Sequence, residues 1–218
     1  AERIREEGLR VTGVPTSSRT AELARSLNVP IMSLDEAKWL DLTIDGADEF
    51  DPNLNLIKGG GAALLQEKIV ATASDQMIVI TDAAKEVAQL GAFALPVEVV
   101  PFGWQTTKAL IEETLVSMDV LNRECTLRMN GAAHLVTDEA NYIIDLHLMR
   151  IGNPRQLAMV LNQIPGVVEN GLFIDICDIV VIGHGDGRVI VRDINSGEVE
   201  DDRVEFAPSD NIFADLED

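Results

Sequence analysis

Cysteine, aromatic side chains, basic residues and long apolar runs are all scarce in this sequence, and each scarcity excludes something. The two cysteines, Cys125 and Cys177, stand far apart in 218 residues without a Cys-x-x-Cys pattern. They read as buried thiols rather than a disulfide, which suits a reducing cytosol. No apolar run approaches the ~18 residues that a membrane helix needs, and no secretory signal opens the chain. The 17 basic residues face 37 acidic ones, for a net charge of −20. Such a surface repels a polyanion, so nucleic acid is excluded as a partner. A small phosphorylated ligand is not, provided a few cations and backbone N–H groups are focused in one cleft. The three histidines have no partner at metal-ligand spacing, so no metal site is expected.

What is present is an ordinary apolar content for a globular α/β protein, in a chain long enough for one large domain or two modest ones. Residues 9–14 read as a strand ending at Pro15-Thr16-Ser17-Ser18, and residues 20–27 as a helix capped by Ser17 or Ser18. Residues 40–44 form a strand ending at Asp45-Gly46. Residues 56–58 lead into Gly59-Gly60-Gly61 and a helix over about residues 62–73. A short apolar strand at 77–80 ends at Thr81-Asp82, with Lys85 just beyond. This alternation predicts a parallel sheet with helices on both faces.

From Gly91 the pattern changes. Strands are expected at 96–100, 124–129, 134–137, 142–149 and 166–173, with helices at 106–118 and from Asn153-Pro154 to about residue 164. That is a second, α+β unit. Residues 179–182 read as a buried strand rejoining the first sheet. The stretch Gly183-His184-Gly185-Asp186-Gly187 reads as a turn, because no helix pattern follows it. Ten acidic residues fall between positions 193 and 218, read as a solvated hairpin and a frayed end. The expected division is 1–91 with 174–192, then 92–173, then an acidic tail at 193–218.

In an open parallel α/β sheet, ligands gather beyond the carboxyl ends of the strands. Four expected strand ends carry Thr16-Ser17-Ser18, Asp45-Gly46-Ala47-Asp48, Lys58-Gly59-Gly60-Gly61 and residues 82–85, ending in Lys85. Asp45 and Asp48 could share one site and hold different protonation states, although Asp-Gly after a strand also makes an ordinary turn. Three successive glycines leave backbone N–H groups unshielded at a helix start, where anions and developing oxyanions are stabilised, and Lys58 adds a full charge. Gln66, Glu67 and Lys68 fan across about 200° of an apolar helix, so at least one faces inward. Ala63, Leu64, Val70 and Ala71 surround Glu67 on its own face. A carboxylate there loses solvation and gains a raised pKa, which suits proton transfer near neutrality. The alternative is a Glu67 that reaches solvent, paired to Lys68.

These blocks in this order resemble the ribose-5-phosphate isomerase A family. The resemblance rests on Gly13-Val14-Pro15-Thr16-Ser17, Ile44-Asp45-Gly46-Ala47-Asp48-Glu49, Ile57-Lys58-Gly59-Gly60-Gly61-Ala62-Ala63-Leu64 with Glu67-Lys68, and Leu95-Pro96-Val97-Glu98-Val99. It extends to Ile164-Pro165-Gly166-Val167-Val168-Glu169-Asn170-Gly171-Leu172-Phe173, so it spans roughly residues 8–187. The fold it implies is α/β, a Rossmann-like parallel sheet with a smaller α+β unit of ferredoxin-like form. The activity it implies is aldose–ketose isomerisation of ribose 5-phosphate and ribulose 5-phosphate through an enediolate. By that resemblance Glu67 is the proton acceptor, and Asp45, Asp48 and Lys58 act with it. Asp45, Gly46, Ala47 and Asp48, then Lys58, Gly59, Gly60 and Gly61, then Lys85, contact substrate. No cofactor is implied, since no redox change occurs, and the family suggests a cytoplasmic homodimer or dimer of dimers. Family members begin with a strand and a Gly-Thr-Gly-Ser-Thr-like phosphate loop. Here Ala1-Glu2-Arg3-Ile4-Arg5 resembles the end of the helix that follows that loop, so the loop itself is expected to be missing.

Two rival readings remain at this point. A sugar-phosphate sensor on a related fold would keep the rim and lose the base, yet Glu67 and both aspartates are present. A CoA-transferase-like enzyme needs its nucleophilic Glu in a different context from Lys58-Gly59-Gly60-Gly61.

Overall fold

A computed structural model of the chain describes residue 4 and residues 6–204. The expected helix end at the amino terminus (apart from Ile4) and the frayed acidic end lie outside the described residues. The elements, in chain order, are α1 (Ser18–Ser26), α2 (Leu34–Ala37), β1 (Thr43–Asp45), β2 (Glu49–Phe50), β3 (Leu56–Ile57), α3 (Leu64–Thr72) and β4 (Met77–Asp82). A short 3₁₀ turn (Ala83–Lys85) precedes β5 (Leu95–Val99), α4 (Trp104–Leu115), β6 (Glu124–Leu127), β7 (Met129–Asn130), β8 (Ala133–His134) and β9 (Tyr142–His147). Then come α5 (Pro154–Leu161), β10 (Val167–Asn170), β11 (Leu172–Phe173), β12 (Ile179–Gly183), β13 (Arg188–Asp193) and β14 (Val199–Arg203).

The first sheet has the order β1-β4-β12-β13-β14. Its first three strands are parallel, with Asp45 beside Val79 and Val79 beside Val180. The last two strands form the antiparallel hairpin expected of the acidic segment. One face is apolar at every second residue. Met77, Val79, Val180 and Ile182 are buried against Phe50, Leu56, Ala71 and Phe173. The opposite face is open among the described residues, with Ile44 60% and Ile80 55% exposed. Among the described residues, helix α3 covers the first of these faces through Ala71.

The second sheet is antiparallel, in the order β10-β5-β9-β6. With α4 and α5 following β5 and β9, this is the ferredoxin-like arrangement. Ile111, Leu115, Leu157 and Leu161 from the two helices pack onto Val97, Val99, Ile144 and Leu146. Asn153 caps α5 by accepting the Gln156 N–H at 3.0 Å, with Pro154 in the first turn. Ser17 caps α1 through the Thr20 N–H, and Ser33 with Glu36 forms a capping box that starts α2.

Several boundaries differ from the sequence reading, and three of them have a clear local reason. Residues 9–14 find a neighbour only at Gly13, which bridges Ile31, so no strand ladder forms. The helix expected from residue 62 begins at Leu64, because Ala62 has φ 61°, outside helical space. The single strand expected at 166–173 breaks at Gly171 into β10 and β11, which belong to different sheets. There the Gly171 N–H donates to Pro96 O and its carbonyl accepts the Lys58 N–H. A Cβ at Gly171 would lie 2.2 Å from the Lys58 carbonyl, so only glycine lets the two backbones meet.

Glu98, on β5, is fully buried. Its Oε1 accepts from Thr137 Oγ1 at 2.8 Å and Asn141 Nδ2 at 3.0 Å, while Oε2 has no hydrogen-bond partner. Burial pushes its pKa above the ordinary carboxylate value, against the pull of those two donors. A carboxyl raised in this way stabilises the fold fully below its unfolded pKa and loses that contribution as pH rises through the folded one. Glu98→Gln is therefore expected to gain stability relative to the parent as pH rises from about 4 to about 8. Urea denaturation across that range checks it, and parallel stability curves would show that Glu98 ionises normally.

Candidate active site

The carboxyl end of β1 delivers Asp45, β3 delivers Lys58, and the first turns of α3 deliver Glu67. These side chains meet. Lys58 Nζ lies 3.1 Å from Asp45 Oδ2 and 3.3 Å from Glu67 Oε2, and donates a 2.5 Å hydrogen bond to Gly46 O. The Lys58 side chain is only 4% exposed, with Asp45 and Glu67 at 19% and 16%. Neither carboxylate oxygen takes a hydrogen bond of its own, although both lie within ion-pair range of the ammonium.

One ammonium faces two carboxylates. The Glu67 pKa is raised, first by burial; Lys58 opposes this, and Asp45 and then Asp48 add to it. This is the environment expected of Glu67, but the alternative pairing to Lys68 is not seen. Lys68 turns the other way, bonding Glu169 Oε1 at 3.0 Å and Asn170 O at 2.6 Å over the ring of Phe173. Nor is α3 apolar and buried all round, because Ile69 is 47% exposed.

The glycine loop is held from two sides. Asp48 Oδ2 accepts the Gly60 N–H at 2.7 Å. A Cβ on Gly60 would sit 2.6 Å from Asp48 Oδ1, so any larger residue would displace the carboxylate that takes the Gly60 N–H. On the far side Arg128 Nη1 donates to Gly59 O at 2.7 Å and Gly60 O at 3.1 Å. The Gly61 N–H has no acceptor among the described residues, and Gly61 and Glu67 share the wall of a cleft of about 530 Å³. Ser17, Ser18 and Arg19 of α1 form another wall, and residues 135–138 close a third. Asp138 ties two of these walls together by accepting from Ser18 N–H at 2.7 Å and Ser18 Oγ at 2.9 Å.

Of the residues singled out from sequence, Asp45, Gly46, Lys58 and Glu67 are in direct contact, and Asp48, Gly59, Gly60 and Gly61 form the adjoining loop. Ala47 is half-buried and packs towards the first core instead. Lys85 is not brought into the cluster. It lies in the 3₁₀ turn beyond β4, on the same sheet edge, and makes no ion pair among the described residues. Sequence reasoning missed Arg19, Arg128 and Asp138. Arg128 and Asp138 come from the second sheet's connections, and no local spacing links them to the glycine loop. The histidines lie elsewhere; His134 stacks edge-on between Trp104 and Tyr142, and His147 bonds Thr126. Cys125 and Cys177 are free and buried.

Comparisons with known proteins identify the family. A family model described as ribose 5-phosphate isomerase A (phosphoriboisomerase A) matches residues 12–187. The ribose-5-phosphate isomerase A of Ruegeria sp. (strain TM1040) is 74% identical over 217 residues, covering 100% of this chain and 83% of that protein. That of Ruegeria pomeroyi is 73% identical over 215 residues, covering 99% and 82%. Among solved structures, the ribose 5-phosphate isomerase of Plasmodium falciparum aligns with a TM-score of 0.78 at 31% identity, over 94% of this chain and 83% of that one. A D-ribose-5-phosphate isomerase in complex with phospho-erythronic acid aligns at 0.77 and 39% identity, over 93% and 82%. This chain belongs to the ribose-5-phosphate isomerase A family, enzymes that interconvert ribose 5-phosphate and ribulose 5-phosphate.

Proposed function

We propose that Glu67 is the base that shuttles the proton between C2 and C1 of the open-chain sugar phosphate. The observation that carries this is the shared ammonium. Lys58 sits within ion-pair range of both Asp45 and Glu67, and burial raises the Glu67 pKa against the pull of that ammonium, with Asp45 adding to the rise. A base poised nearer neutrality both takes and returns a proton efficiently. Asp45 moves hydroxyl protons and opens the ring. Asp48, whose Oδ2 is engaged by Gly60, has Oδ1 left for a substrate hydroxyl. As C2 loses its proton, negative charge grows on the carbonyl oxygen. Lys58 Nζ and the Gly61 N–H then stabilise the enediolate, a contribution made only after proton removal. Lys85 helps hold substrate from the neighbouring strand end, and Arg19 supplies a second cation on the cleft wall.

The finer setting is also a proposal. Residues 92–173 form the smaller unit, inserted into a catalytic one made of 1–91 and 174–192, and the acidic segment from 193 adds its strand β14 to the sheet of that catalytic unit. The enzyme works in the cytoplasm as a homodimer or dimer of dimers. Free buried thiols fit that compartment. No helix among the described residues is long and apolar enough to cross a membrane. Phe102, Val116 and Leu121, at 93%, 66% and 70% exposed, supply apolar surface for an interface on the smaller unit. Sedimentation as a monomer at working concentrations would refute the assembly.

Glu67→Gln removes the base and little volume. It is expected to lower kcat by about 10²- to 10⁴-fold while sparing ribose 5-phosphate binding. Substantial turnover in a ribulose 5-phosphate assay of that variant would sink the assignment. Lys58 is the strongest influence holding the Glu67 pKa down. Residual activity of Lys58→Gln should therefore show its acid limb at higher pH than the parent, as a kcat/KM profile reads directly. Because Lys58 supplies the cationic charge, parent turnover should persist in EDTA, and loss of activity restored by a divalent cation would contradict that role.

A further inference from the structure

The peptide planes of Gly59-Gly60-Gly61 are set by an arginine from the second sheet. Glycine places few limits on φ and ψ; within the loop itself the Gly59 carbonyl is held by the Ala62 N–H at 3.0 Å, whereas the Gly60 carbonyl is held by Arg128. In a planar trans peptide the carbonyl and the following N–H point in opposite directions. Arg128 Nη1 gathers the carbonyls of Gly59 and Gly60 to one side, at 2.7 and 3.1 Å. The Gly60 and Gly61 N–H groups must then face the other side. The Gly60 N–H is found there, on Asp48 at 2.7 Å. The Gly61 N–H follows it towards the cleft that Glu67 lines.

Two further observations, and one principle, fit a built device rather than a chance contact. Arg128 is itself fixed by a two-point pair with Asp145, Nε to Oδ2 at 2.9 Å and Nη2 to Oδ1 at 2.5 Å. Both side chains are only 15% exposed. The next residue of the loop, Ala62, is held at φ 61°, a conformation that is costly for a non-glycine residue and persists only where its surroundings impose it. A guanidinium drawing on a carbonyl also polarises the N–H of the same peptide, which strengthens it as a donor.

We propose that Arg128 is a positioning residue for isomerisation. It orients and polarises the Gly61 N–H towards the enediolate oxygen, and Asp145 holds it in place. The proposal rests on the reading of that N–H as an enediolate donor. Arg128 does not touch the substrate itself, so its loss should fall on kcat rather than KM.

The test compares Arg128→Ala with Gly61→Pro, which deletes the N–H outright, in the isomerase assay. Arg128→Ala is expected to lose about 10- to 100-fold in kcat, part of the ~10²–10³ that removal of one oxyanion donor costs, with little change in KM. Guanidinium chloride at sub-denaturing concentration should restore part of that loss, which a merely structural defect would not allow. Unchanged kcat, a loss confined to KM, or no rescue would overturn the role of Arg128. If Gly61→Pro still loses kcat in that case, the failure belongs to Arg128 alone. If Gly61→Pro keeps parental kcat, the donor reading falls with it. Should Arg128→Ala not fold, Arg128→Lys carries the test. A single ammonium cannot reproduce the planar fork, so lowered kcat at unchanged KM supports the proposal and parental kcat overturns it.

Discussion

The site depends on a single buried ammonium. Lys58 lies among Gly46 O, Asp45 and Glu67 with almost no access to water. A lysine there is tolerable only because its partners are in place; removing one partner of a buried ion pair costs about 3–5 kcal/mol. The arrangement is also unbalanced by design, with two acids to one base. Burial first, and the second acid after it, leave Glu67 a carboxylate that prefers its proton more than a glutamate in water does. Stability alone would favour an even pair, whereas proton transfer needs the uneven one.

Everything around Lys58 serves to keep its backbone still. Its N–H is taken by Gly171 O, and Gly171 is in turn held by Pro96 O, so β3, β11 and β5 are tied at one point. Phe173, two residues on, lies under both lysines, with Lys58 Nζ 5.5 Å and Lys68 Nζ 4.9 Å from its ring centre. Lys68 then binds α3 to β10 through Glu169 and Asn170. The helix that carries Glu67 is thus fastened to the second sheet by the adjacent residue. The two neighbours divide the work: one reaches the site, and the other anchors the turn that presents it.

Much of this was legible in the sequence, and the pattern of what was not has a physical cause. The strand ends carrying Asp45 and Lys58 follow from apolar periodicity and turn chemistry, and the burial of Glu67 follows from its apolar helical neighbours. Those are local signals. Residues 9–14 misled because their alternation satisfies the pattern of a strand without supplying a partner strand. Gly171 hid a change of sheet, since a break in pairing leaves no mark on side-chain composition. Arg128 and Asp138 act across the fold on Gly59, Gly60 and Ser18, and only the folded chain brings them there. Helix and strand signals report the neighbours along the chain; a peptide plane steered from another sheet does not.

The acidic character of the chain sharpens the role of its few cations. Arg150, Arg155, Arg188 and Arg192 are each paired with a surface carboxylate, which removes them from service towards a ligand. Lys58 is equally committed, but inside, where low polarity magnifies its field on any charge that forms beside it. It is too deep and too well paired to be the group that first captures a phosphate. Its effect is largest on an oxygen that becomes negative only during reaction, and this is the condition for lowering a barrier rather than deepening a well. The net charge and the buried lysine thus act together. The surface discourages polyanions in general, while in the proposed reaction the buried Lys58 acts on a charge that the substrate does not yet carry when it binds.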